Sequence, residues 1–285
     1  MKHEILGQRR ERKYRFVRDI GRLIEEDTLR REREGQRFGE ETEHEDEPMS
    51  KVSSIYDYLV IPDIQCTGAD GKVFERYDMI CVAKDVERDG GIHVNFSPYR
   101  AISHFEGKGM FLPSYALSCN VLAYLFANKN DKDTNKVLMQ YKDNGSGYGW
   151  HAQNTVIDWK ERKIRHYPLD VDFPNYGGND GVNQSVQRNE FGFKAKGFGD
   201  MALEDALKEK HFKDFIINLT GLPDPNVLVE IGKYFDKLAR IWVPNNPSDA
   251  KYASASWLGC YDSFFCICAN NCLSISNAAR GVREP

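Results

Sequence analysis

Residues 256–285 read SWLGCYDSFFCICANNCLSISNAARGVREP. In a 285-residue chain that is 29% charged, this stretch holds four of the seven cysteines and almost no charge. Its apolar residues keep no clean period: LGCYDSFFCIC fits neither a helical face nor an alternating strand. Two readings compete. One is an irregular pair of buried strands. The other is a set of positions held on loops by a rigid scaffold, where clustered exposed aromatics form a binding patch.

The cysteines, Cys66, Cys81, Cys119, Cys260, Cys266, Cys268 and Cys272, are odd in number and spell no disulfide framework. Cys266-x-Cys268-x3-Cys272 lacks the paired Cys-x2-Cys spacing of a zinc site, and the nearest histidine in sequence is His211. No metal and no cofactor is expected. Hydrophobic residues at 41% and aromatics at 12% suffice for one or two globular domains. A net charge of −4 gives no basic field for nucleic acid, and no run approaches the roughly 18 apolar residues of a membrane span. The expectation is a soluble protein without nucleic-acid partner or membrane insertion. The opening MKHEILGQRRERKYRF lacks the apolar segment of a signal peptide, which points to the cytoplasm or to assembly into a particle.

Residues 1–48 stand apart, with 26 charged residues. Tyr14, Phe16, Val17, Ile20, Leu23 and Ile24 recur at helical spacing, so the segment reads as a charged helical arm and linker with one apolar stripe. That stripe packs on the body of the protein or on a particle or oligomer partner. The main domain is expected over 49–285. Its first part reads as strands, DYLVIPDIQC, MICVAKDV and GIHVNF, separated by Gly and Asp turns. In LPSYALSCNVLAYLFANK, Pro113 and Ser114 signal a helix start, and Leu117, Val121, Leu122, Leu125 and Phe126 form its buried face. The middle, with NGSGYGW, VIDWKERKIRHYP and FPNYGGNDG, reads as short strands and long loops. A second helix is expected over 225–238, followed by a strand at ARIWV. Two main helices, short strands and long loops make the class α+β.

One constellation suits catalysis. Cys119 early on a helix, His151 opening a strand, and Asp158 or Asp170 beyond follow the order of papain-like and transglutaminase-like thiol enzymes. A helix N-terminus lowers a thiol pKa, an imidazole takes the proton, and a carboxylate orients the imidazole. Cys119 as a small buried hydrophobe and His151 as a structural histidine are the alternative.

Within the tail, Ser256-Trp257, Cys268-Ala269-Asn270, Ser274 to Asn277 and Ala279-Arg280-Gly281-Val282 form a frame of SW, CAN, SxSN and ARGV. This frame resembles the variable region, here about 256–283, of the variable proteins of diversity-generating retroelements. Upstream, GMFLPSYALS and GYGWHAQNT resemble the first helix and the Trp-containing strand of the same proteins. The family diversifies Asn codons at adenines, which never yields Lys, Glu, Gln, Met or Trp. Those types supply 57 of the 285 residues yet none of the 22 from Leu258 to Ala279.

The resemblance implies a C-type-lectin-like domain related to the formylglycine-generating enzyme. It also implies a non-enzymatic ligand- or receptor-binding role through a hypervariable surface, carried on a virion or particle and directed at a protein or cell-surface receptor. Leu258, Cys260, Tyr261, Phe264, Phe265, Ile267, Asn270, Asn271, Cys272 and Ile275 are then the ligand-binding positions, expected together on one exposed surface. Trp257, Ala269, Arg280 and Gly281 are the structural frame. The calcium signatures of sugar-binding lectins are missing, so neither calcium nor carbohydrate is carried over.

Overall fold

The computed structural model describes residues 58–87, 101–102, 104–105, 108–143, 151–167, 189–195, 199–244, 254–261, 263–271 and 279–283. They belong to one compact unit, Ser54–Glu284. The charged arm over 1–48, the GIHVNF strand, NGSGYGW, FPNYGGNDG and Asp170 lie outside the described residues. In chain order the elements are β1 Tyr58–Thr67, β2 Val73–Ala83, α1 Tyr115–Ala127, α2 Lys132–Met139, β3 His151–Asp158, β4 Lys163–His166, β5 Asn189–Gly192, β6 Asp200–Ala202, α3 Leu203–Ala206, α4 Lys210–Thr220, α5 Asn226–Tyr234, β7 Leu238–Trp242, β8 Ser254–Tyr261, β9 Phe264–Asn271 and β10 Val282–Arg283.

The class is α+β, with two sheets. The first has the order β1-β2-β10 and the second the order β5-β4-β3-β8-β9-β7-β6. β1 and β2 form a hairpin, and β10 joins it antiparallel with Val282 opposite Val82. The late strand thus closes on the early hairpin, through β2 rather than β1. In the larger sheet every pairing is antiparallel except β7 with β9.

Helix α1 is the centre of the core. Ser114 caps it, its hydroxyl oxygen accepting from the Leu117 N–H at 3.0 Å while its own O–H donates to Glu75 at 2.9 Å. Tyr115, Ala116, Leu117, Ser118, Cys119, Val121, Leu122 and Leu125 are all buried, so the helix is covered on nearly every side. Its first turn is tied to the larger sheet: the Tyr115 N–H donates to Thr155 Oγ1 at 2.8 Å, and the Asn154 N–H to the Pro113 carbonyl at 2.8 Å.

Five helices occur among the described residues where two were expected. Helix α4 escaped because its buried residues, Phe215 to Thr220, crowd its second half and no side chain caps its start at Glu209. It ends at Gly221, whose φ of +64° suits glycine, and a Cβ there would meet those of Ala116 and Cys66 at 2.9 Å. The expected second helix stops at Tyr234. Leu238, the last residue of the expected span, instead opens β7 after Asp236 turns the chain with φ of +57°.

Candidate ligand-binding face

Register decides which tail residues can meet a partner. Leu258, Cys260, Phe265, Ile267 and Ala269 share one face of the larger sheet with Ala239 and Ile241. All seven are buried in the large core against the helices. Phe265 packs edge-on to Phe235, with ring centroids 5.8 Å apart. The expectation that Leu258, Cys260, Phe265 and Ile267 project onto an exposed surface is therefore corrected. β8 and β9 are interior strands of a seven-stranded sheet, and their helix-facing side is sealed.

The other face divides along its length. Trp257 and Cys268, opposite each other, enter a smaller cluster with Tyr58, Cys81, Ala101, Ile102, Phe105, Met110, Leu112, Ala152 and Ala279. Toward β7, the cover ends. Leu238 stands opposite Phe264, Arg240 opposite Cys266 and Trp242 opposite Cys268. Leu238 is 51% exposed and Trp242 46%, high values for large apolar side chains on a sheet. Phe264 is half-buried, and the Arg240 guanidinium lies 5.1 Å from the centre of its ring. From the edge strand β6, Asp200 accepts from Arg240 Nε at 2.7 Å. Cys266 sits beneath this rim, buried.

Of the ten predicted positions, Phe264 alone has a described side chain on this open face. Tyr261 pairs in register with Phe264 at the β8–β9 turn, Asn270 and Asn271 close β9, and Cys272 and Ile275 lie outside the described residues. Leu238, Arg240 and Trp242 were missed. The available signal was the alternation LARIW, in which every second residue turns away from Ala239 and Ile241.

The frame residues sit inside. Trp257 and Ala269 are fully buried, and the Ala269 carbonyl accepts from Trp159 Nε1 at 2.9 Å. Arg280 is buried, donating to the Ala83 carbonyl and the Gln140 side chain, with its guanidinium 5.6 Å from the Tyr141 ring. Burial lowers its pKa from the ordinary value. Gly281 leaves no room: a Cβ there would meet Met110 Sδ at 2.7 Å and the Phe105 ring at 3.0 Å.

The thiol–imidazole pair does not assemble. Cys119 is sealed in the core, and burial raises its thiol well above the ordinary pKa. His151 is buried and stacked on Tyr141, ring centroids 4.2 Å apart. Its Nε2 faces the Gln140 carbonyl at 3.3 Å, its Nδ1 has no hydrogen-bond partner, and so neither ring nitrogen bonds the thiol. Desolvation first, then the charge of Arg280, lowers its pKa to about 3. Asp158 is committed to Arg165 at 3.2 Å and to the Glu161 N–H at 2.8 Å.

No family model, curated protein or solved structure matches this chain. The chemistry of the face thus rests on its own residues. Among the described residues it is apolar and aromatic with a single ion pair, and burial pushes the Cys266 thiol beneath it up to about 12. Among the described residues no group of three or more His, Cys, Asp or Glu could hold a metal ion, and no helix is long and apolar enough to cross a membrane. Among its described residues the face holds two flat rings, Phe264 and Trp242, and one guanidinium.

Proposed function

We propose that this chain is a non-enzymatic ligand-binding protein, a variable protein of a diversity-generating retroelement with a C-type-lectin-like domain. Its partner is a protein or cell-surface receptor, and a virion or particle carries it. The observation that carries the reading is the open end of the larger sheet. Leu238 and Phe264 lie exposed and half-buried beside the turn into which the tail's SW frame leads, and Trp242 lies exposed four residues further along β7. A folded domain gains nothing from leaving two large apolar side chains half in water, whereas rigid aromatics at an interface bury large area for little lost side-chain entropy. Burial of Trp257, Ala269 and Arg280 supports the division of the tail into a fixed frame and varied contents. So does the closure of β10 on the first hairpin.

Burial also narrows the diversified set. Leu258, Cys260, Phe265 and Ile267 belong with the frame, and the varied positions are Tyr261, Phe264 and those from Asn270 onward. Deep sequencing of the coding region after propagation in the source population tests this. The expected result is substitution at adenines concentrated in the codons for those positions, with a near-copy of the tail codons beside a reverse-transcriptase gene. Tail codons that vary no more than the rest, with no such copy nearby, would overturn the proposal.

A further inference from the structure

Arg240 lies outside the tail, on β7, so diversification of the tail leaves it unchanged. Its position is built rather than incidental. The guanidinium lies over the Phe264 ring at 5.1 Å and donates Nε–H to Asp200 at 2.7 Å, two contacts that restrain the group. A guanidinium carries five N–H donors, and Nε supplies one. The remaining four, on the two terminal nitrogens, meet no acceptor among the described residues. They form the end-on fork that matches the two oxygens of a carboxylate, on a side chain that is 22% exposed. Leu238 and Trp242 flank this fork on the same strand and the same face.

We infer that Arg240 is a fixed anchor of the binding face, receiving a carboxylate from a protein partner whose adjacent apolar side chain packs on Leu238, Phe264 and Trp242. The inference rests on the ligand-binding reading above and deepens it. A protein carboxylate fits better than a polyanion: among the described residues the face has one cation, Asp200 stands beside it, and the chain is net −4, whereas nucleic acid requires an array of basic groups. A lone Asp or Glu among apolar neighbours needs one fork and a dry rim, which is what β7 provides. Holding the guanidinium in place beforehand lowers the ordering cost of the encounter.

The test uses a phage-displayed library of random linear heptapeptides, selected on the full-length protein. Recovered peptides should carry Asp or Glu within two positions of a large apolar residue. Their affinity should fall about tenfold or more with Arg240→Gln, and about equally when the peptide acid becomes its amide. The two changes made together should cost no more than either alone, because they remove one contact. Arg240→Lys should restore part of the affinity, and thermal melts should show each variant folded. If the peptides depend on Trp242 and Leu238, tested as Trp242→Ser and Leu238→Ser, but show no acid and ignore Arg240→Gln, the inference falls and the binding face stands. If no peptide is recovered, or those recovered ignore all three substitutions, both fall.

Discussion

Phe264 and Phe265 are adjacent, chemically identical and opposite in consequence. Phe265→Ala removes a fully buried ring that packs on Phe235, in a core already closed on that side by Ala239 and Ile241. Transfer and cavity terms together put the loss at about 3–5 kcal/mol. For a domain of this size about 1 kcal/mol moves Tm by roughly 2–4 °C, so the melting point should drop by about 6 °C at the least and by up to about 20 °C. Phe264→Ala gives up a half-buried ring and its contact with Arg240, a partly solvated cation–π pair worth about 0.5–1 kcal/mol. Its melting point should fall by no more than a few degrees. Urea unfolding of both variants, followed by tryptophan fluorescence, separates shifts in midpoint from changes in slope. Equal losses for the two variants, or a larger loss at Phe264, would refute the assignment of faces and with it the location of the proposed binding surface.

The remaining predictions concern ionisable groups. The Glu190 carboxyl is held down at about 2, first by its hydrogen bond to Lys163 and then by Arg165, against an ordinary value of 4.5. Because the folded state lowers this pKa, its contribution is present above about 4.5 and is lost as pH falls toward 2. Glu190→Gln should flatten that part of a stability–pH profile measured by urea titration, and an unchanged slope would remove Glu190 from the account. Cys66, Cys119, Cys260 and Cys266 are buried, with thiols raised by desolvation. Iodoacetamide at neutral pH should leave all four unlabelled in the native protein and label them in urea, as read by mass spectrometry. Rapid native labelling of Cys119 would revive the thiol-enzyme reading.

Much of this arrangement was visible in the residues themselves. Pro113-Ser114 announced α1, and the spacing of Leu117, Val121, Leu122 and Leu125 chose its buried face, because a cap and a periodic stripe are local signals. The tail was harder for a physical reason. A strand covered on both faces loses its alternation, since Trp257 and Leu258 are both buried though they point opposite ways. Such a strand reads the same as a loop packed with apolar side chains, and the number of sheet neighbours is not written in any one segment. Leu238 and Trp242 were passed over because exposed apolar residues on a sheet's open face look like core until their neighbours are known, and Arg240 because one charged residue in a short strand does not say what it faces.

The order β8-β9-β7 separates two strands that follow one another along the chain and seats a third between them. Until β9 is present, the larger sheet exists only as two pieces, β5-β4-β3-β8 and β7-β6. Each would hold an open row of backbone donors and acceptors along the missing strand, and Leu258, Cys260, Ala239 and Ile241 would have no cover from Phe265 and Ile267. On a chain emerging N-terminus first, this slot stays empty through most of synthesis, a state prone to capture by other extended segments. On the core side the residues that fill it are Phe265, Ile267 and Ala269. Under the proposed diversification, a polymerase that rewrites neighbouring codons would also edit around the last step of assembly, and an error at Phe265 or Ile267 would be removed as a protein that never closed rather than as a binder that failed.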